Sequence, residues 1–291
     1  MTFDPLDAEG LGRALKAAWN EAAPGEVPGL APESLPGDLG ALPVAERKRL
    51  FVRSVLPHVL RTNRRIAAER KGLQKALHRV KDGRELSEVE TAWVLAVAAR
   101  YGKGDRTREE LRTDPARVLR SLLVRADVVP VSLALAQAAI ESGWGSSRFS
   151  LEGNALFGQW VFSRDRGMVP AGRAPGAAYG VARFETIGHA VEAYVRNLNT
   201  LSAYRDFRER RAALRSQGKA LDSLDLAAGL LRYSERREEY VEEVRSVIRG
   251  NHMFRYDGVR LAAVRRSQFV DILEAEGLLS SLAPPGAPPD A

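Results

Sequence analysis

The feature that most constrains this fold is the stretch PVSLALAQAAIESGWGSSRF, from Pro130 to Phe149, which is almost wholly apolar up to Glu141. Between residues 131 and 142, leucine, isoleucine and small alanines cover most of a helical circumference, so the pattern predicts a helix that is buried nearly all round. A helix of this kind requires a body of other helices packed around it. One carboxylate, Glu141, stands at its end.

The position of Glu141 indicates a catalytic acid. Gln137 lies four residues earlier on the same helical face, where its amide can orient the carboxylate. The negative end of the helix dipole and partial burial are both expected to raise the pKa of Glu141, as a general acid at neutral pH requires. Gly143 suits the left-handed position that ends a helix. Trp144 then offers either a flat face for a sugar ring or a side chain for core packing.

Composition excludes several classes of chemistry. The chain of 291 residues is 45% hydrophobic, so it can bury a large core without disulfides or a structural metal. It has no cysteine, which excludes thiol catalysis and cysteine-ligated zinc, and its four histidines are not at metal-ligand spacing. We therefore expect no metal and no cofactor.

The pattern of hydropathy predicts neither a membrane span nor an export signal. No run approaches the roughly 18 apolar residues of a transmembrane helix. The first residues, MTFDPLDAEG, lack the basic and then apolar pattern of a secretory leader. Nothing in the sequence indicates an oligomeric state.

Positive charge is concentrated in one segment. The net charge is +7, and residues 61 to 84 alone contain nine Lys or Arg against two acids. An apolar stripe at helical spacing accompanies these charges, so the favoured interpretation is the solvated face of a helix. The alternative is a surface for nucleic acid, anionic lipid or an anionic wall polymer.

The pattern along the chain predicts helices on both sides of a small strand region. Residues 1–45 form a Pro/Gly-rich extension, a linker or an irregular wrap with one short helix, and residues 46–114 a helical region with Pro57 inside a long helical pattern. Ser87 begins a capping box, and Asp114 with Pro115 begins another helix.

After Phe149 the helical period is lost for about 35 residues, which favours two or three short strands. Helices then resume to residue 252. Residues 253–291 are expected to form a last helix and a disordered tail.

The segment ALAQAAIESGWGSSRFSLEGNALFGQW resembles the signature of Bax-type glucosaminidases, which belong to the peptidoglycan N-acetylglucosaminidases of glycoside hydrolase family 73. The resemblance covers roughly residues 117 to 251 and defines a domain at 115–252. It implies a mainly α, lysozyme-like (α+β) fold, with a helical body and a small β lobe flanking a glycan cleft. It also implies hydrolysis of a β-1,4 bond, with peptidoglycan glycan strands as the binding partner and no binding of nucleic acid. The implied location is the periplasm or cell envelope.

The resemblance carries the catalytic acid onto Glu141. Together with Gln137, the residues that it implies as substrate contacts are Trp144, Asn154, Phe157, Gly158, Gln159, Tyr204 and Tyr233 or Tyr240. Two positions depart from the family pattern: Ala155 stands in a usual asparagine pair, and Leu201-Ser202 replaces a frequent histidine. Neither departure touches the acid.

The second catalytic group is left open. Most glycosidases use two carboxylates, and the candidates here are Glu152, Asp165, Glu185 and Glu192. Glu185 is the nearest to the expected position and is taken as the candidate base, although an acid at a helix start needs no catalytic reason. If no second carboxylate reaches the cleft, the anomeric carbon must be attacked by a water that weaker groups activate, or by the acetamido oxygen of the substrate. The alternative function is a noncatalytic peptidoglycan-binding or cell-envelope scaffold protein.

Overall fold

The computed structural model describes residues 1–102, 104, 107–161, 167–169, 180–262, 270, 271, 273 and 274. The described chain is mainly helical, with a few strands of two or three residues, and the predicted lysozyme-like fold class is confirmed. Its α-helices are α1 Ala8–Asn20, α2 Val44–Lys81, α3 Glu88–Arg100, α4 Thr107–Thr113, α5 Pro115–Arg125, α6 Val131–Ser142, α7 Arg148–Gly153, α8 Ile187–Thr200, α9 Arg205–Ser216, α10 Ser223–Ala227 and α11 Glu238–Gly250. Its strands are β1 Thr2–Phe3, β2 Glu26–Val27, β3 Ala31–Pro32, β4 Trp160–Val161, β5 Gly167–Met168, β6 Gly180–Ala182 and β7 Arg260–Leu261.

The chain divides into two compact units built from alternating segments. The first unit contains residues 1–61, 131–194 and 247–291, and the second contains 62–130 and 195–246. The division passes through α2, α8 and α11, whereas the boundaries predicted from sequence lie at residues 45, 114 and 252. Those boundaries follow changes in composition along the chain, and they stay a prediction.

Helix α6 lies in the core of the first unit. Every residue from Val131 to Ala139 is buried, and Ile140 and Glu141 are the first to be partly exposed. This confirms the burial that the apolar pattern predicted, since no face of the helix before Ile140 is left for water.

The N-terminal extension, residues 1–45, wraps onto the rest of the first unit. Strand β1 pairs in parallel with β3, and β2 pairs in parallel with β7. The side chains of Phe3, Leu30 and Leu39 are fully buried. Of the two structures that the Pro/Gly-rich composition left open, the irregular wrap is present, because the apolar residues among the prolines anchor the segment.

The small strand region after Glu141 is also present. Strand β6 pairs antiparallel with β4 on one side and β5 on the other, with Val181 opposite Trp160 and Met168. Met168 and Val181 form a small apolar cluster with Ala155, against which Phe149 packs. The parts of this region at 162–166 and 170–179 lie outside the described residues.

The second unit has its own apolar core, formed where α2, α3, α4 and α5 meet around Leu73, Val97 and Leu119. The predicted helix starts are confirmed: Ser87 and Glu90 form a reciprocal capping box, and Asp114 caps α5 ahead of Pro115. Helix α2 runs through Pro57 without ending.

Among the described residues, no helix is long and apolar enough to cross a membrane. The last helix expected near residue 270 and the tail after it lie almost wholly outside the described residues.

Candidate active site

The C-terminal turn of α6 determines the position of Glu141. The amide of Trp144 donates to the carbonyl of Ala139 at 2.9 Å, and the amide of Gly143 donates to that of Ile140 at 3.4 Å. These two bonds form a Schellman motif, which requires a left-handed residue after the helix, and Gly143 has φ +58°. The predicted role of Gly143 is thereby confirmed. The chain turns away directly after the carboxylate.

The loop after Gly143 stays in the left-handed region for two further residues. Trp144 has φ +58°, which is unfavourable for a side chain of this size, and Gly145 has φ +79°. A Cβ on Gly145 would lie 2.6 Å from Leu35 and 2.9 Å from Phe51, so a larger residue does not fit. Ser142 fixes this turn, since its hydroxyl donates to Ala138 and accepts from the amide of Gly145.

A buried polar contact fixes the face of α6 one turn before the acid. Gln137 is fully buried, and its Oε1 accepts a hydrogen bond of 2.7 Å from the hydroxyl of Tyr194 on α8. The ring of Tyr194 stacks on Phe157, with centroids 4.0 Å apart and planes 9° from parallel. The loop after α7 is thus joined to α6 through one tyrosine.

Gly158 brings that loop against the catalytic candidate. It has φ +59°, and a Cβ built on it would lie 2.9 Å from Oε2 of Glu141. Only a residue without a side chain can approach the carboxylate so closely in this backbone conformation. Phe157 therefore packs on Tyr194, whereas its neighbour Gly158 lies against the carboxylate of Glu141.

Two amide side chains of the same loop present acceptor oxygens. Asn154 has a left-handed backbone, and its Nδ2 donates to the carbonyls of Phe184 and Glu185 at 3.2 and 3.0 Å. Its Oδ1 and the Oε1 of Gln159 are buried without a hydrogen-bond partner among the described residues. Buried acceptors of this kind are costly for a protein to retain without a use.

Comparisons with known proteins identify the family of the chain. Residues 118–253 match the glucosaminidase family model, described as mannosyl-glycoprotein endo-beta-N-acetylglucosaminidase. Protein bax of Escherichia coli (strain K12) is 34% identical over 197 residues, which are 67% of this chain. The chain belongs to the Bax-type glucosaminidase family. The matched part spans 66% of the length of protein bax, and no solved structure matches the chain.

The family model describes a glycosidase, and it includes α6 and all the loop residues described above. Membership therefore places the chain among glycoside hydrolases that act on a glycan. It does not by itself assign the bond that is cut or the role of Glu141.

Trp144, which was predicted as a sugar platform or a core residue, packs against α2. Its ring meets Phe51 edge to face, with centroids 5.9 Å apart. The ammonium of Lys48 lies 4.5 Å from its centroid. A ring held in this way explains how the left-handed backbone of Trp144 is maintained, because packing offsets the backbone strain. A role in sugar binding stays a prediction.

The candidates for a second carboxylate are placed differently from Glu141. The side chain of Glu185 is 88% exposed, and its carboxylate lies 3.6 Å from Nδ1 of His189. Glu152 is half exposed and pairs with Arg148 at 3.2 Å. Glu192 lies on α8, and Asp165 is outside the described residues. The assignment of Glu185 as the base stays a prediction.

Three predicted aromatic residues form a stack in the second unit. Tyr204 and Tyr233 have ring centroids 5.8 Å apart, and Tyr233 and Tyr240 stack in nearly parallel planes at 5.4 Å. Tyr240 is buried, whereas Tyr204 and Tyr233 are partly exposed. The two partly exposed rings remain the predicted substrate contacts of this group.

Sequence reasoning missed Tyr194. It lies in the helical pattern IGHAVEAYVRNLNT, where a tyrosine on the apolar face is normally read as a core residue. Its distinguishing signal was the pairing of a buried glutamine with a buried phenolic hydroxyl, which only the packing of α6 against α8 reveals.

Proposed function

We propose that this protein is a peptidoglycan hydrolase that cleaves the β-1,4 bond after N-acetylglucosamine, with Glu141 as the general acid. The observation that carries the proposal is the setting of Glu141: a partly exposed carboxylate at the end of an otherwise buried helix, bordered by the side-chain-free Gly158. A carboxylate placed for solubility or capping would not need a glycine held at positive φ against it.

In this mechanism Glu141 donates its proton to the oxygen of the scissile glycosidic bond as that bond breaks. The leaving sugar departs as a neutral alcohol, and positive charge develops at the anomeric carbon. Gln137 and Tyr194 position α6, so that the carboxyl stays within reach of the oxygen. Asn154 holds the loop beside the acid, since its Nδ2 donates to the carbonyls of Phe184 and Glu185.

The attack on the anomeric carbon needs a second group. Glu185 activating a water is the candidate from sequence, and the acetamido oxygen of the substrate is the alternative. The exposure of Glu185 and its pairing with His189 favour the substrate-assisted route, because a base that activates water usually lies inside the cleft. A hydrolase of this polymer acts in the periplasm or cell envelope, and this is where we propose that the protein works.

Digestion of purified peptidoglycan tests the proposal. We expect the wild-type protein to release fragments that end in reducing N-acetylglucosamine, as identified by mass spectrometry. Glu141→Gln keeps the size of the side chain but removes the proton, and it should lower the rate by about 10²- to 10⁴-fold. Glu152→Gln, the same change in a half-exposed surface pair, is the matched control and should retain activity.

Three outcomes would contradict parts of the proposal. Fragments that end in reducing N-acetylmuramic acid would mean a muramidase. An active Glu141→Gln protein would remove Glu141 as the acid. Binding of peptidoglycan by the wild-type protein without release of any fragment would favour the noncatalytic binding module.

A further inference from the structure

A cavity of the first unit is lined by residues of α1, α2, the loop after α6 and the segment after α11. It has a volume of about 390 Å³, and two indole rings, Trp19 and Trp144, are among its lining residues. We refer to it as the Trp19–Trp144 pocket. Its size falls within the range of small-molecule sites and is far larger than a bare anion or a few waters need.

The Trp19–Trp144 pocket is strongly cationic. Four basic residues line it, Lys48, Arg49, Arg53 and Arg255, and no acidic residue is among the described residues that line it. Arg49 also pairs at 3.3 Å with Glu46, which is not one of the lining residues. Positive charges gathered around one cavity repel one another, and a bound anion relieves that repulsion.

Aromatic rings hold these cations in place. Arg53 lies over Trp19 at 5.1 Å, Lys48 over Trp144 at 4.5 Å, and Arg255 over Tyr256 at 4.8 Å. Arg255 also donates to the hydroxyl of Tyr256, and Lys48 donates to Asn251 at 2.9 Å. Side chains that are already ordered lose less entropy when they bind a ligand, so the pocket is preorganised.

The chemistry of the lining favours a carboxylate that belongs to a larger molecule. Planar guanidinium groups bind carboxylates through two parallel hydrogen bonds. The remaining volume, bordered by indole and aliphatic surface such as Leu56 and Val52, accommodates a group of the size of an amino acid. An inorganic anion would leave this apolar surface unused.

We propose that the Trp19–Trp144 pocket is a subsite for the carboxylate-bearing peptide that peptidoglycan sugars carry. The inference rests on the proposed function and adds a substrate contact to it. Trp144 provides the link, since it lines the pocket and follows Glu141 by only three positions. Occupation of the pocket favours glycan strands that still bear peptide.

Calorimetric titration tests the proposal. The ligand is an N-acetylmuramyl tetrapeptide, which contains no glycosidic bond for the enzyme to cut. We expect Arg53→Gln and Arg255→Gln each to weaken its binding at least tenfold. Arg117→Gln, an exposed arginine of the second unit that faces Asp114 at 3.9 Å, is the matched control and should bind as the wild type does. Thermal unfolding of each variant shows whether the fold is intact.

Two further ligands distinguish the source of the negative charge. The same muramyl peptide with amidated carboxylates should not bind measurably. Inorganic phosphate should not compete at equal concentration. Tight binding of the amidated peptide, or equal competition by phosphate, would overturn the assignment, as would wild-type affinity in both pocket variants.

Turnover separates this inference from the proposed function. On intact peptidoglycan, Arg53→Gln should raise KM and leave kcat unchanged, whereas on glycan strands stripped of peptide it should act like the wild-type protein. An active Glu141→Gln protein would refute the proposed acid but leave the calorimetric result standing. A KM that rises equally on both polymers would refute the peptide subsite alone.

Discussion

Two carboxylates, one in each unit, stand in contrasting surroundings. Asp127 in the second unit is only 2% exposed, and its two oxygens accept from Arg215 at 2.9 and 3.0 Å, with Arg70 at 3.4 Å. Glu141 in the first unit is partly exposed and has the backbone of Gly158 against it. Arginines surround the first carboxylate, whereas the backbone of a glycine approaches the second at close range.

The region around Asp127 holds helix ends together. The fully buried Arg211 donates to the carbonyls of Val124 and Arg125 at the end of α5, and to Asn199 at 2.8 Å. Burial lowers the pKa of Arg211 to about 10, and the nearby carboxylate of Asp127 partly offsets this effect. Arginines here satisfy the carbonyls that a helix leaves unpaired, whereas α6 satisfies its own through a glycine turn.

The largest effect on stability is expected from Asp127→Asn. The change leaves the buried Arg211 and the partly buried Arg70 and Arg215 without their counter-charge, which should lower the free energy of unfolding by about 3 to 5 kcal/mol. Urea unfolding followed by circular dichroism measures this loss. A loss below about 1 kcal/mol would show that water replaces the carboxylate and would remove the contrast with Glu141.

The second prediction concerns the pH dependence of the free energy of unfolding, to which the buried His58 of the first unit contributes. The pKa of His58 is lowered to about 3, mainly by burial and then by Arg61. Above about pH 6.5 the folded and unfolded chains both hold a neutral imidazole, but below it only the unfolded chain takes up the proton. Stability is therefore lost as the pH falls from about 6.5 towards 3, at about 1.4 kcal/mol per unit.

His58→Gln is the control for this titration. Nε2 of His58 lies 2.8 Å from the carbonyl of Pro32, and the glutamine amide can donate to the same oxygen. We expect the variant to lose less stability than the wild-type protein between pH 6.5 and 4.5. Parallel curves would show that His58 accepts a proton in the folded state.

A smaller effect is expected from Tyr194→Phe. The ring and its stack on Phe157 remain, but the buried oxygen of Gln137 loses its donor, at a cost of about 1 to 2 kcal/mol. Hydrolysis should fall severalfold through kcat, because Gln137 lies one turn before the acid. Unchanged kcat with the expected loss of stability would limit Tyr194 to a packing role.

The smallest effects on stability are expected from Glu141→Gln and Glu185→Gln, each within about 0.5 kcal/mol. Their activities should differ: Glu141→Gln loses hydrolysis, whereas Glu185→Gln retains it if the acetamido group of the substrate attacks. Urea unfolding and a dye-release assay on labelled peptidoglycan measure the two quantities. Loss of activity in both variants would restore Glu185 as the base.

Local patterns explain why much of the site was predictable. The burial of α6, the left-handed Gly143, the capping box at Ser87 and the strand region after Phe149 all depend on residues close together in sequence. The family resemblance followed from the same part of the chain, because ESGWG and NALFGQW are each short runs of consecutive residues. Helix and turn signals act over a few residues, so the chain itself carries them.

Contacts between distant segments were not predictable in this way. The pairing of Gln137 with Tyr194, the approach of Gly158 to Glu141 and the placement of Trp144 on α2 each join residues whose partners are chosen by packing. The basic residues of the Trp19–Trp144 pocket come from α2 and from the segment after α11, and no sequence period connects them.

The amino-acid sequence by itself determined that α6 is buried and ends in a glycine turn directly after a carboxylate, since helical period and backbone preference are local properties. The tertiary structure alone decided what surrounds that carboxylate. It placed the backbone of Gly158 against Glu141 and surrounded Asp127 with arginines. It also brought four basic side chains together in a pocket with two indole rings. The groups that surround each carboxylate come from distant parts of the chain, and only folding brings them together.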